Sequence, residues 1–186
     1  MRVTADRAIC APMLADQVVA LYVDMEGHGV RPWLMGGWGI DALLGRQTRA
    51  HHDVDILVDV ASLERFRDRL DELGFELRHL WDDETWWVRD ESWSGTEKQP
   101  TAFVCRHPDD REIDVHVLRL DDQGGVAALW TCPYKFTADD LEGRGMIGGH
   151  LVRCLTPEAQ FGAHTGYDLP PHHLTDLQLL AEAMTL

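Results

Sequence analysis

Apolar residues recur at helical spacing over residues 12–27, where Leu14, Val18, Leu21, Tyr22 and Met25 share one face. Gly27 and Gly29 end the predicted helix. The stretch that follows, WLMGGWGIDALLGRQTRAHHDVDILV over residues 33–58, changes pattern four times. It predicts a short apolar strand over 33–35, a Gly36-Gly37 turn and a helix over 38–44. A polar loop carrying Arg49, His51 and His52 comes next, then a strand over 53–58. Residues 61–73 form a second amphipathic pattern, with Leu63, Phe66, Leu70 and Leu73 inward and Gly74 as its stop, and 75–80 alternates as a strand. Residues 81–100 suit a hairpin. Residues 101–106 and 112–118 read as two strands reversed at Pro108-Asp109-Asp110. The pattern gives out between Gly125 and about residue 141. A two-residue hairpin at Gly148-Gly149, a Thr156-capped helix opening on Pro157-Glu158, and a last amphipathic helix over 172–184 after Pro170-Pro171 complete the chain.

The strand over 53–58 carries the first candidate chemistry. Side chains alternate between faces, so Asp53 and Asp55 share one and Val54 and Ile56 the other. Two adjacent carboxylates repel unless a cation lies between them, which makes the pair a metal-site candidate. Gly36-Gly37 at a helix start is a candidate phosphate cradle, because free N–H groups and the helix dipole favour an anion there. On the strand over 112–118, Asp114 and His116 share a face. Asp114 supplies a third carboxylate if that strand lies beside Asp53 and Asp55.

Composition narrows the partners. At 186 residues, 45% hydrophobic and 26% charged, the chain predicts one domain, 1–186, with a core over about 30–120 and C-terminal hairpin and helices over about 144–186. No apolar run is long enough for a membrane span, and the first residues lack a signal-peptide pattern. A cytoplasmic setting is therefore expected, with Cys10, Cys105, Cys132 and Cys154 as free thiols. The net charge of −15 argues against long nucleic acid and suits a cationic small acceptor. Between residues 81 and 100, Trp81, Trp86, Trp87 and Trp93 stand among six acids, Asp82, Asp83, Glu84, Asp90, Glu91 and Glu97. They read either as core plugs of a hairpin or as an acceptor-binding wall of flat rings and acids.

Three blocks together resemble the small antibiotic nucleotidyltransferases of the DNA polymerase beta-like superfamily. They are WLMGGWGIDALLGRQTRAHHDVDI, EIDVHVLRLDDQG and VRCLTPEAQFGAHTGYDL, the last followed by Asp176. The resemblance is closest to the lincosamide nucleotidyltransferases and extends to the aminoglycoside 2''-nucleotidyltransferases. It implies an α/β (α+β) nucleotidyltransferase fold, a mixed twisted sheet flanked by helices with a short C-terminal helical part. It also implies transfer of a nucleoside monophosphate, AMP from ATP, to an acceptor hydroxyl with release of pyrophosphate. Asp53, Asp55 and Asp114 would hold Mg²⁺, two ions when substrate is bound, and Asp114 would act as general base. Gly36 and Gly37 would cradle the phosphates, with Arg49 and His51 as counter-charges. Trp86, Trp87, His116, His164 and Tyr167 would line the substrates, while Asp41 is equally well explained as a residue of the first helical turns. The chain departs from the family's pattern at His52, where Arg is expected, and in the length of residues 81–100.

His52-Asp53 also spells the metal-binding dipeptide of phosphohydrolases, but those ligands ride on helices, and here the alternation is a strand. A partner-binding relative of the same fold and an adenylyltransferase acting on a protein or a biosynthetic sugar stay open at this stage. So does the choice between monomer and homodimer.

Overall fold

The computed structural model describes residues 12–81, 86–87, 99–165 and 168–185, with backbone pairing alone for 86–87. Helix α1 spans Ala15–Gly27. Its first turn is tied by Gln17 Oε1, which accepts the Leu14 N–H at 2.9 Å. Val18, Leu21, Tyr22 and Met25 are buried as the periodicity predicts, whereas Leu14, ahead of the helix, is half exposed. Strand β1 (Trp33–Met35) runs straight into α2 (Gly36–Leu44), so Gly36 and Gly37 are the first residues of the helix and form no separate turn. Strand β2 follows at Asp53–Asp59, then a 3₁₀ turn and α3 (Leu63–Glu72). Leu63, Phe66 and Leu70 are buried while Leu73, past the helix end, is only partly so. Gly74 takes φ +83°, and the Phe75 N–H returns to Leu70 O at 2.9 Å.

The remaining strands are β3 (Glu76–Leu80), β4 (Trp86–Trp87), β5 (Gln99–Pro100), β6 (Ala102–Arg106), β7 (Glu112–Leu120) and β8 (Val126–Ala128). A hairpin, β9 (Arg144–Ile147) and β10 (His150–Arg153), precedes helices α4 (Pro157–Ala163) and α5 (Pro171–Met184). Its turn glycines, Gly148 and Gly149, have φ +56° and +81°, the pair of positive angles a two-residue turn needs. Thr156 Oγ1 caps α4 through the Ala159 N–H, and α5 starts at Pro171, one residue earlier than its pattern suggests. β4 pairs antiparallel with β5, Trp86 with Pro100 and Trp87 with Gln99; the rest of the hairpin expected over 81–100 lies outside the described residues.

Among the described residues, six strands make the main sheet, ordered β1-β2-β7-β6-β3 with β8 on the far end of β7. β2 and β7 are parallel and the other pairs antiparallel, so the sheet is mixed. One face, carrying Val54, Ile56, Val58, Phe103, Ile113, Val115 and Val117, packs on α1 and α3 as the main core. The other face is divided. Its lower half, Trp33, Leu57 and Leu118, is sealed by Phe136, Leu141, Leu155 and Ala159, while its upper half carries the acids. The segment where the sequence pattern failed supplies much of that seal, held to the sheet edge by Thr101 Oγ1 on Leu129 O at 2.6 Å. No helix is long and apolar enough to cross a membrane among the described residues.

Phe103 is fully buried at the centre of the main core. Phe103→Ala is expected to lose about 4 kcal/mol of stability, seen as a lower urea midpoint with an unchanged slope.

Candidate active site

The parallel pairing of β2 and β7 sets Asp55 in register with Asp114, Asp53 with Glu112 and Leu57 with His116. The adjacency left open in the sequence is therefore present. On its other side Asp55 pairs with Met35, the last residue of β1. Gly36 follows at φ +59°, and a Cβ there would lie 2.1 Å from Asp55 Oδ2. Gly37 is similarly confined: a Cβ would lie 2.3 Å from His51 Nδ1 and 2.9 Å from Arg49 Nη2. The two glycines let a helix start press directly on the acidic row, placing its free N–H groups beside the carboxylates.

Burial pushes the Asp55 carboxyl well above the usual range, and the charges of Asp53 and Asp114 push it further. Asp114 is raised to about 7, chiefly by burial, against the pull of an indole N–H donated by Trp81. Neither Asp53 nor Asp55 enters an ion pair among the described residues. These hard oxygen donors fit a divalent cation, whose charge would relieve their repulsion. The set is not gathered around one point: no three acids, histidines or cysteines among the described residues sit close enough to hold a metal together. Asp114 accepts the one indole N–H of Trp81 at both oxygens, at 2.8 and 3.0 Å, and keeps further acceptor sites free.

Two side-chain pairings fix the loop between α2 and β2. Arg49 makes a bidentate contact with the buried Asp176 of α5, Nε at 3.0 Å and Nη2 at 2.7 Å. Asp41 Oδ2 meets His51 Nε2 at 2.5 Å, while its Oδ1 accepts the Thr48 N–H at 3.1 Å and the Thr48 hydroxyl at 2.6 Å. Asp41 is thus a buried organiser of the loop, and His51, itself buried, stands beneath Gly37 with its ring against Trp38. The sequence pattern offers no signal for Asp176, which lies 127 residues from Arg49. The resemblance does mark its position.

Next to Asp114, His116 Nδ1 lies 3.5 Å from Asp114 Oδ1, too far for a hydrogen bond, and is buried without a hydrogen-bond partner among the described residues. Burial holds this imidazole near a pKa of about 4, so it is neutral at physiological pH. Its ring meets Trp130 edge to face at 4.9 Å. Trp130 belongs to the segment with no legible pattern and was not anticipated as part of the site. His164, at the end of α4, is buried, its Nδ1 2.6 Å from Gln160 O and its ring 5.2 Å from that of His173. His173 is partly buried, which lowers its pKa to about 4; His172 is exposed. The side chains of Trp86 and Trp87, together with Trp93, Tyr167 and Cys10, lie outside the described residues. Cys105, Cys132 and Cys154 are free thiols.

Known proteins resemble this chain. The family model of the aminoglycoside-2''-adenylyltransferases matches residues 17–180. A lincosamide resistance protein of Staphylococcus haemolyticus is 28% identical over 146 residues, 77% of this chain and 80% of that protein. Among solved structures, the lincomycin-bound lincosamide antibiotic adenylyltransferase LnuA is similar with a TM-score of 0.73 at 25% identity, covering 92% of this chain and 98% of that one. ANT(2'')-Ia in complex with adenylyl-2''-tobramycin has a TM-score of 0.67 at 20% identity, covering 91% and 88%.

Proposed function

The chain belongs to the aminoglycoside-2''-adenylyltransferase family, and on that premise we propose that it transfers AMP from ATP to a hydroxyl of a lincosamide or aminoglycoside antibiotic. The observation that carries this reading is the register of Asp55 with Asp114 beside a helix start opened by Gly36. It sets the proposed base, an acidic row suited to a metal and a helix start suited to phosphate together on the central parallel strands of the sheet.

The acceptor hydroxyl gives its proton to Asp114 as its oxygen bonds to the α-phosphorus. The bond from that phosphorus to the bridging oxygen breaks, and pyrophosphate leaves with the electron pair. Burial that raises the Asp114 carboxyl to about 7 makes it a stronger base than an ordinary aspartate. Mg²⁺, held by Asp53 and Asp55 with Asp114 at the margin, would supply positive charge to the α-phosphate and to the leaving oxygen. The N–H groups of Gly36 and Gly37 receive the outer phosphates, and Arg49 beside Gly37 balances their charge. His51 supports that turn from below, and Asp176 aims the Arg49 guanidinium. His164 lies towards the nucleotide side, where α4 and α5 pack on α2. The acidic surface draws a cationic antibiotic toward the site.

Asp176→Asn is expected to raise the ATP dissociation constant about tenfold, or ~1.4 kcal/mol, since Arg49 loses its bidentate anchor; calorimetric titration reads this directly. The reading as a whole is tested by pyrophosphate release with Mg²⁺ and each nucleoside triphosphate, with and without antibiotic. Release that requires both a triphosphate and an antibiotic is the expected result. A protein that binds no triphosphate sinks the reading.

A further inference from the structure

Trp81 ends the edge of the sheet beside Asp114. Its backbone N–H bonds to Ala102 O at 3.1 Å, and Ala102 pairs across the sheet with His116, two residues along β7 from Asp114. The indole is held on two sides. Its N–H reaches both oxygens of Asp114, at 2.8 and 3.0 Å, and the His79 ring stands against it at 5.0 Å and 86°. Even so, Trp81 is 51% exposed. A tryptophan serving only as packing would hide its ring, because a bare indole forgoes the gain of burying a large apolar surface. Here the polar edge is pinned to the base while much of the ring stays open. Beyond Asp114 the buried His116 Nδ1 has no hydrogen-bond partner among the described residues, so an unsatisfied polar atom and a half-exposed indole flank the same carboxylate.

We propose that Trp81 is a positioning and acceptor-recognition residue: its indole N–H aims the Asp114 carboxylate, and its open face stacks the sugar ring whose hydroxyl is modified. The inference rests on Asp114 acting as the base. A saturated sugar ring fits the platform because its C–H face packs on a flat π surface while its hydroxyls stay free to point at Asp114. Of the tryptophans read in the sequence as core plugs or acceptor wall, Trp81 is the one whose side chain is described beside Asp114.

Two variants separate the two contributions. Trp81→Phe keeps a ring and deletes the N–H, and Trp81→Ala deletes both. Trp81→Phe is expected to lower kcat about tenfold, the equivalent of one lost hydrogen bond at the transition state, with acceptor KM within about twofold of wild type. Trp81→Ala is expected to show the same loss in kcat and, in addition, an acceptor KM and calorimetric acceptor Kd about tenfold higher. The ATP Kd stays unchanged in both variants. Wild-type kcat in Trp81→Phe, or ATP and acceptor affinity falling together in both variants, overturns the proposal. Acceptor binding that Trp81→Ala leaves intact overturns it alone. Absence of any acceptor binding by the wild-type protein overturns the functional reading as well, so the two failures are told apart.

Discussion

Asp55→Asn is expected to abolish nucleotide transfer while making the metal-free protein more stable. The activity loss, about a thousandfold or more, follows from removing the central carboxylate of the row, which flanks Asp114 and touches the position of Gly36. The stability gain follows from charge. Burial and the neighbouring charges of Asp53 and Asp114 raise the folded-state pKa of Asp55 well above its unfolded value near 3.8. Between those two values the folded chain holds more protons than the unfolded one. Stability must therefore fall as pH rises through that window, and the penalty is complete above the folded-state pKa. Asparagine carries no such penalty. At pH 8 in EDTA the variant should melt about 5 °C above wild type, and near pH 4 the two should converge. Mg²⁺ should raise the wild-type melting temperature more than that of the variant, since only the wild type keeps the full acidic row. A scanning-fluorimetry series over pH and Mg²⁺ provides the check. A variant less stable than wild type at pH 8 would contradict the electrostatic account.

The second large effect is expected at Gly36. Its φ of +59° disfavours any residue with a Cβ, and the added atom would sit 2.1 Å from Asp55 Oδ2 and 2.8 Å from its Cγ. Asp55 is too short to yield without leaving the site, so Gly36→Ala must displace either the carboxylate or the helix start. Activity is expected to drop about a hundredfold, in keeping with the cost of a displacement near 1 Å, and stability by about 2 kcal/mol. Gly148 makes the matched control. It has a similar φ of +56°, but an added Cβ meets nothing within 4 Å. Gly148→Ala is expected to lose about 1 kcal/mol of stability and to keep wild-type kcat. Equal activity losses at the two positions would mean that backbone strain, and not the contact with Asp55, is what matters at Gly36.

What could be read in the chain and what could not divide along physical lines. Local periodicity placed α1, α3, β1 and β2 within a few residues, because each buries a regular stripe. The alternation of Asp53 and Asp55 with Val54 and Ile56 gave the acidic face outright. The pairing of Asp114 with Asp55 is a property of sheet order, which period-two patterning cannot supply. The same limit hid the contacts of Arg49 with Asp176 and of Trp81 with Asp114, each made between residues far apart in the chain. Residues 126–141 were opaque for a different reason. Among the described residues they offer one three-residue strand and a 3₁₀ turn, and their apolar side chains seal the lower sheet face irregularly, without a repeating stripe. Trp130 escaped notice on that account. The glycine pair was recognised as a phosphate candidate, yet its deeper requirement, room for Asp55 and His51, became visible only with the packing in place.

The central claim is that the row of Asp53, Asp55 and Asp114 transfers a nucleoside monophosphate to an antibiotic hydroxyl. Mass spectrometry of the acceptor tests it most directly, after incubation with ATP and Mg²⁺ over a panel of lincosamides and aminoglycosides, with Asp55→Asn run in parallel. The account predicts an antibiotic heavier by one nucleoside monophosphate, one pyrophosphate released per product, and neither with the variant. An unmodified panel despite triphosphate binding, or the same product from Asp55→Asn, would contradict it.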